Sequence, residues 1–538
     1  MTLKPPCMGK PYIHLFDTTL RDGAQTQGID FSLSDKQRIS AMLDTLGLDY
    51  IEGGWPGANP TDEIFFAKKP ALATSEFVAF GMTRRSGRSA ANDTALSPIL
   101  NADADAGCLV GKAWDYQVAV ALGIEQDENL AMIGESIAAV KAALGQAFYD
   151  AEHFFDGYKA NPSYALACLG AAYESGARWL VLCDTNGGTL PEEIAQIVRD
   201  VAARFPKEQI GVHLHNDTEQ AVAGSIAAIR AGAHQVQGTL NGIGERCGNT
   251  NLCTLIANLK LKSAIADEIE IGVPMENLAK LTKISRTFDE LLGRMPSRQA
   301  PYVGTAAFAH KGGLHASAVA KDPQTYEHVA PERVGNTRQI VVSDQSGRAN
   351  IIAHLNEIGL NLEASDERIP ALLTAVKTLE AQTGLTFDGA DASFEIFVRR
   401  FFGETLSFYT LDRFRVIDER RWNAQSQVVT EAVAMVQLAV RDQEYLEAAK
   451  GNGPVDALFT AMRQALKSAF PQINEIRLID YRVRILDGGA GTAAVTRVLI
   501  ESEDHSGQRW TTVGVSENII DASYTALDDA ITWHLSRD

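Results

Sequence analysis

Residues 12–23 read YIHLFDTTLRDG. A mainly apolar run, Tyr12–Phe16, breaks off into the polar cluster Asp17-Thr18-Thr19-Leu20-Arg21-Asp22-Gly23. Runs of the same kind recur at Tyr50–Ile51, Glu76–Phe80, Gly107–Val110, Gln146–Tyr149, Trp179–Leu182, Ile210–Leu214 and His234–Gln237, which makes eight. The stretches between them carry Ala- and Leu-rich helical periodicity, as at Asp35–Leu46, Asn161–Ser175, Pro191–Arg204 and Glu219–Ala231. Eight strand–helix units over about 250 residues predict a TIM (β/α)8 barrel rather than an open doubly wound sheet.

In such a barrel the chemistry sits at the C-terminal ends of the strands. Polar residues cluster where those ends are predicted: Glu52-Gly53-Gly54-Trp55 after the second run, Asp150, Glu152 and His153 after the fifth, and Asp184-Thr185-Asn186-Gly187 after the sixth. The seventh ends as His213-Leu214-His215-Asn216-Asp217, and Asn241, Glu245, Arg246 and Asn249 follow the eighth. A spacing of two on a strand points both imidazoles of His213 and His215 to one face. Two imidazoles and a carboxylate such as Asp22 make a facial set for a divalent cation, with positions left open for substrate. His-x-His alone is a weak signal, and two hydrogen-bonded histidines are the plain alternative. The guanidinium fork of Arg21 suits a carboxylate or enolate oxygen, the alternative being a structural ion pair. Glu152 and Thr185 stand where a substrate group can be oriented.

The chain has 538 residues, too many for one ordinary core, and a formal charge of −19. That charge argues against general nucleic-acid binding and against docking on anionic membranes. Six cysteines without a C-x-x-C pair read as reduced thiols, and with no apolar leader segment or membrane-length run the expected location is cytoplasmic. The expected domains are a catalytic barrel at 10–280, helical linker subdomains at 281–403 that include the Gly-rich Ala309–His315 (AHKGGLH), and an α+β domain at 404–538. In the last, Ser407–Ile417, Val428–Arg441, Ile476–Ile485, Ala493–Ile500 and Trp510–Val515 alternate as strands, while Pro454–Ala469 and Ile519–Leu535 read as helices. Asp487–Thr492 (DGGAGT) opens no helix after a strand, so it reads as a hairpin turn rather than a dinucleotide loop.

The segment Asp17–Gln25 (DTTLRDGAQ) resembles the first signature of the 2-isopropylmalate, homocitrate and citramalate synthase family, which shares its barrel with the hydroxymethylglutaryl-CoA lyases. Leu240–Asn251 (LNGIGERCGNTN) is similar to the second signature, His213-Leu214-His215 to the metal pair, and the C-terminal region to the family's amino-acid-sensing domain. Ala24 departs from the family, which often has Glu there. Longer strings, Tyr50–Pro60, Glu152–Pro162, Cys183–Gly188 and Tyr326–Val342, look like the branch that uses pyruvate. The resemblance implies condensation of acetyl-CoA with pyruvate and water to (R)-citramalate and CoA, the committed step of a threonine-independent isoleucine pathway with isoleucine as feedback effector. It implies that Asp22, His213 and His215 bind a divalent metal (Mg, Mn, Co or Zn), with Asn249 as a fourth ligand. Arg21, Gln25 and Thr185 are implied to bind substrate. Arg21, Glu152, His315 and Tyr326 are implied to be catalytic, the last two reaching a neighbouring subunit's site in a homodimer. Competing expectations are 2-isopropylmalate synthesis from 2-oxoisovalerate, a metal-dependent aldolase or lyase, and a non-catalytic amino-acid sensor.

Overall fold

The computed structural model describes residues 9–340, 365–387, 389–422, 428–441, 443–486 and 494–537, with short pieces between 351 and 363. The predicted turn at Asp487–Thr492 lies outside the described residues. Eight parallel strands form the barrel: β1 (Tyr12–Asp17), β2 (Tyr50–Gly54), β3 (Glu76–Met82), β4 (Ala106–Lys112), β5 (Ala147–Glu152), β6 (Trp179–Asp184), β7 (Ile210–Leu214) and β8 (Gln235–Gly238). β1 pairs with β2 on one side and β8 on the other, which closes the sheet. A two-residue strand, β9 (Glu270–Ile271), pairs with the start of β1.

The period of two along each strand sorts side chains between the barrel interior and the helix layer. Phe16, Tyr50, Phe148 and Trp179 fill the interior, with Tyr50 edge-on to Phe148 at 5.2 Å and the Trp179 indole N–H donating to the Tyr50 hydroxyl at 3.3 Å. Two residues further along β2, β5 and β7, the same inward positions carry Glu52, Asp150 and His213, the last two steps from Gly211. An aromatic plug therefore lies directly beneath a layer of buried polar groups.

The turn after β2 is anchored by a buried ion pair. The helix Leu33–Leu46 starts at a Ser32–Asp35 capping box and ends on Gly47 in the left-handed region. Its Lys36 is buried, and Nζ donates to the carbonyls of Leu20 (3.1 Å) and Gly53 (2.8 Å) and to Asp62 Oδ1 (2.5 Å). Asp62 Oδ2 accepts the Trp55 N–H at 2.9 Å. Gly54 has φ +137, and a Cβ there would meet Asp62 Oδ2 at 2.5 Å, so the close approach requires glycine.

The chain separates into two compact units, one running to Phe308 with Val329–Arg338, the other comprising Ala309–His328 and everything from Gln339. In the second unit, β10 (Ala309–His310) pairs with β11 (Gln339–Ile340). Beyond them lie two antiparallel three-stranded sheets, β12 (Thr410–Trp422), β13 (Val428–Val440) and β14 (Gln443–Gly451), then β15 (Arg477–Ile485), β16 (Thr496–Glu503) and β17 (Arg509–Ser516). Helix Pro454–Leu466 packs on β13 and β14, and helix Ile519–Leu535 on β16 and β17. The fold is thus the expected barrel, linker and α+β domain. Strand β14, QEYLEAAKG, is the element the sequence does not announce. Its composition favours a helix, and its pairing with β13 overrides that local preference. Among the described residues no helix is long and apolar enough to cross a membrane.

Asp62→Ala would strand the Lys36 ammonium in the protein interior. The expected cost is about 3–5 kcal/mol of barrel stability, read as a lowered urea midpoint by far-ultraviolet circular dichroism. An unshifted midpoint would show that the pair does not anchor the turn.

Candidate active site

Asp22 sits in the turn that follows β1, its N–H donating to the Thr18 carbonyl at 2.8 Å. His213 is on β7 and His215 directly after it. One ligand atom from each of Asp22, His213 and His215 lies within 4.8 Å of the others, and all three residues are buried. His213 Nε2 is 3.0 Å from Asp22 Oδ2 and His215 Nε2 is 4.0 Å from it. The loop after β8 is laced to this edge: Thr250 N–H donates to the Leu214 carbonyl, Asn216 N–H to that of Gly248, and His215 forms a bridge with Asn249. Asn249 Nδ2 thereby comes within 3.0 Å of both Asp22 Oδ2 and His213 Nε2.

The donor set fits a divalent cation. His213 Nδ1 is 2.7 Å from Gln237 Oε1, a contact that commits its N–H there and turns the Nε2 lone pair toward Asp22. Gln237 in turn donates to Asp150 Oδ1 at 3.0 Å. Asp22 Oδ1, His215 Nδ1 and Asn249 Oδ1 are buried with no hydrogen-bond partner among the described residues. Buried polar atoms are ordinarily satisfied. A half-turn of the Asn249 amide exchanges Nδ2 for Oδ1 and adds an oxygen donor facing the two side chains.

Arg21 lies beside this group. Its Nε donates to Glu52 Oε2 at 2.7 Å, Nη1 is 3.4 Å from Asp22 Oδ2, and the guanidinium rests on the Phe80 ring at 4.0 Å. Burial would raise the Asp22 carboxyl, but Arg21 and the two histidines hold it far below the usual carboxylate range. Burial pushes Glu52 up to about 7 and raises Asp150 as well. Burial and then His213 push His215 down to about 4, so it is neutral near pH 7. For His213 burial works against the charged form, yet contact with Asp22 raises it above its ordinary value.

The other residues singled out in the sequence lie at further strand ends of the barrel, except for two that belong to the second unit. Thr185 Oγ1 accepts the N–H of His153, whose φ of 57 is left-handed, at 2.8 Å. Glu152, at the end of β5, is 2.5 Å from Lys112 Nζ at the end of β4, the two being register partners. Gln25 closes the turn after Asp22 and is exposed. Arg246 pairs with Asp217 at 2.8 Å and donates to the Thr185 carbonyl at 2.7 Å. His315 and Tyr326 belong to the second unit, where their rings stack at 4.1 Å and both are exposed. Lys112 and Gln237 escaped the sequence reading. The polar alternation Gln235-Val236-Gln237 on a barrel strand was the available signal for the second.

The HMGL-like family matches residues 12–287, the homocitrate synthase post-HMGL domain residues 302–384, and the LeuA allosteric (dimerisation) domain residues 388–535. The chain is 46 % identical over 528 residues to an (R)-citramalate synthase of Aquifex aeolicus, covering 98 % of each. It is 48 % identical over 535 residues to one from Synechocystis, covering 98 % of this chain and 96 % of that one. A probable 2-isopropylmalate synthase of Methanopyrus kandleri stands at 31 % over 518 residues, 96 % of each. The chain belongs to the (R)-citramalate synthase family of HMGL-like acyltransferases.

Proposed function

We propose that this enzyme condenses acetyl-CoA with pyruvate and water to (R)-citramalate and CoA. The observation that carries the reading is the convergence of Asp22, His213 and His215 beside Arg21 at the mouth of a barrel whose similarity to (R)-citramalate synthases runs over 98 % of the chain. Asp22, His213 and His215, with Asn249 as a fourth donor, would hold a divalent cation (Mg, Mn, Co or Zn), which when bound polarises the 2-oxo carbonyl as a Lewis acid.

The protein's own groups supply the rest. The Thr185 hydroxyl accepts from His153, which leaves its O–H free to donate to the pyruvate carboxylate. Gln25, in the turn after Asp22, adds a second contact to the substrate. His315, with Tyr326 stacked on it and oriented through Glu152 or a water, removes a proton from the acetyl methyl, and the resulting enolate attacks the keto carbon. Arg21, clamped by Glu52, stabilises the negative charge that grows on the former 2-oxo oxygen. Water then cleaves the thioester, which makes synthesis irreversible.

The active enzyme is a homodimer in which His315 and Tyr326 complete the partner's site. Ile417, Trp422, Leu446, Ile479 and Ile485 are exposed on the strands of the second unit, apolar surface of the kind a dimer covers. The enzyme catalyses the committed step of isoleucine synthesis in the cytoplasm, where Cys108, Cys168, Cys183, Cys247 and Cys253 stay reduced. Isoleucine binds the domain after residue 404 and lowers activity through a coupling free energy between the sites.

Thiol release from acetyl-CoA with a panel of 2-oxo acids should favour pyruvate. His213→Ala should lower the rate at least a thousandfold, and full activity in that variant rules out the metal assignment. Because His213 must shed its proton to bind a cation, Mn(II) affinity should rise about tenfold per pH unit up to the raised His213 value and level off above it. The neutral His215 adds no dependence in that window. Titration calorimetry between pH 5.5 and 8 reads this out, and a flat profile rejects it. Calorimetry should also detect heat with isoleucine and not with leucine or valine; no heat with any of them leaves the domain without an amino-acid effector.

A further inference from the structure

The loops after β5, β7 and β8 hold strained backbone. His153, Glu219, Asn241 and Arg246 have φ of 57, 61, 53 and 55, in the left-handed region that residues other than glycine rarely adopt. Such conformations cost free energy and persist where the surrounding contacts over-determine them. At Arg246 those contacts reach two other loops. Its Nε donates to Asp217 Oδ1 and its Nη2 to Asp217 Oδ2, both at 2.8 Å, and Nη2 also donates to the Thr185 carbonyl at 2.7 Å. One guanidinium fork thus joins the loops after β6, β7 and β8.

The neighbouring backbone is shaped to meet this fork. Gly187, in the loop after β6, has φ +64, and a Cβ there would collide with the Asp217 carboxylate. The Thr218 hydroxyl donates to the Gly187 carbonyl at 3.1 Å, and the Asn216 N–H to the Gly248 carbonyl at 2.8 Å. Thr185 is therefore held at both of its oxygens, the carbonyl by Arg246 and the hydroxyl by the His153 N–H at 2.8 Å. Stability does not account for the strain at Arg246. Its side chain is 38 % exposed, and an ion pair so open to water adds little to folding. What the fork fixes is the place of Thr185.

We propose that Arg246 is a positioning residue for recognition of the 2-oxo acid, acting through Thr185, an inference that rests on the pyruvate reading above. With its carbonyl and hydroxyl both engaged, Thr185 has its O–H direction set before substrate arrives. Preorganisation of this kind lowers the ordering cost of binding. A guanidinium suits the task because its planar fork spans a carboxylate and a carbonyl at once, whereas an ammonium is a point charge on a flexible stem. Asp217 balances the charge of Arg246, so the clasp offers geometry rather than net attraction for an anion.

The test compares KM for pyruvate and for acetyl-CoA in Arg246→Ala, Arg246→Lys and Asp217→Asn, each also in the Thr185→Ala background. Arg246→Ala should raise pyruvate KM about tenfold, the worth of one charge-assisted contact, and leave acetyl-CoA KM within about twofold. Asp217→Asn should raise pyruvate KM as well, and Arg246→Lys should not restore it. In Thr185→Ala the same substitutions should move pyruvate KM less than about twofold, as expected of residues that act as one unit. An equal rise in both backgrounds means that Arg246 meets the substrate itself, and overturns the positioning role. Recovery with lysine, or a fall in pyruvate KM with Asp217→Asn, means that charge acts rather than geometry, and overturns it too. A lowered urea midpoint with unchanged KM reduces the clasp to a structural clip. The panel of 2-oxo acids separates the two levels. If another acid is turned over in place of pyruvate, the pyruvate reading fails, and the same pattern in the KM of that acid sustains the clasp. If none is turned over, calorimetry with pyruvate replaces KM. Affinity lost on Arg246→Ala only where Thr185 is intact sustains the clasp, and undiminished or absent binding overturns it.

Discussion

Asp22 Oδ2 is the atom on which the site converges. Arg21, His213, His215 and Asn249 all approach it, from three different strand ends. A buried carboxylate without partners would neutralise itself by taking a proton, and its neighbours would lose their reason to gather. Held ionised by Arg21, it sets the sign of the field for the two imidazoles and fixes which nitrogen of His213 faces inward. Gln237 and Asp150 extend the same order one layer outward, so the ring of His213 is oriented from both sides.

The barrel makes this concentration of charge tolerable. Below it, the plug of Phe16, Tyr50, Phe148 and Trp179 supplies a rigid apolar floor. Around it, the carboxyls divide into two classes by environment. Asp22 is kept charged by contact with cations, whereas burial moves Glu52 and Asp150 toward neutrality. Burial thus opposes the charge on two of the acids, while contact with cations sustains it on the third. The Lys36–Asp62 pair repeats the device under the turn after β2, where a buried cation is matched by one carboxylate and two carbonyls.

The eight barrel strands were legible because a strand buried on both faces must be almost wholly apolar, and because polar residues interrupt that pattern only at the catalytic rim. His213 and His215 could be read as a pair because their spacing alone puts them on one face. Strand β14 was not legible, since its residues prefer a helix and only the register with β13 makes it extended. Lys112 was hidden for a related reason. Forty residues separate it from Glu152, and nothing in either neighbourhood marks the other until β4 and β5 pair.

The sequence by itself determined the barrel, the succession of domains, and the identity of the groups able to hold a cation, because periodicity and residue chemistry are local properties. Only the tertiary structure decided which of those groups meet. Closure of β8 onto β1 and the lacing of the loop after β8 to β7 bring Asn249 to Asp22, 227 residues away along the chain. It also decided their charge states, since burial and the distance to Arg21 are properties of the folded chain. Thus YIHLFDTTLRDG announces a strand that ends in a ligand, while the protonation of that ligand is set by residues the stretch does not contain.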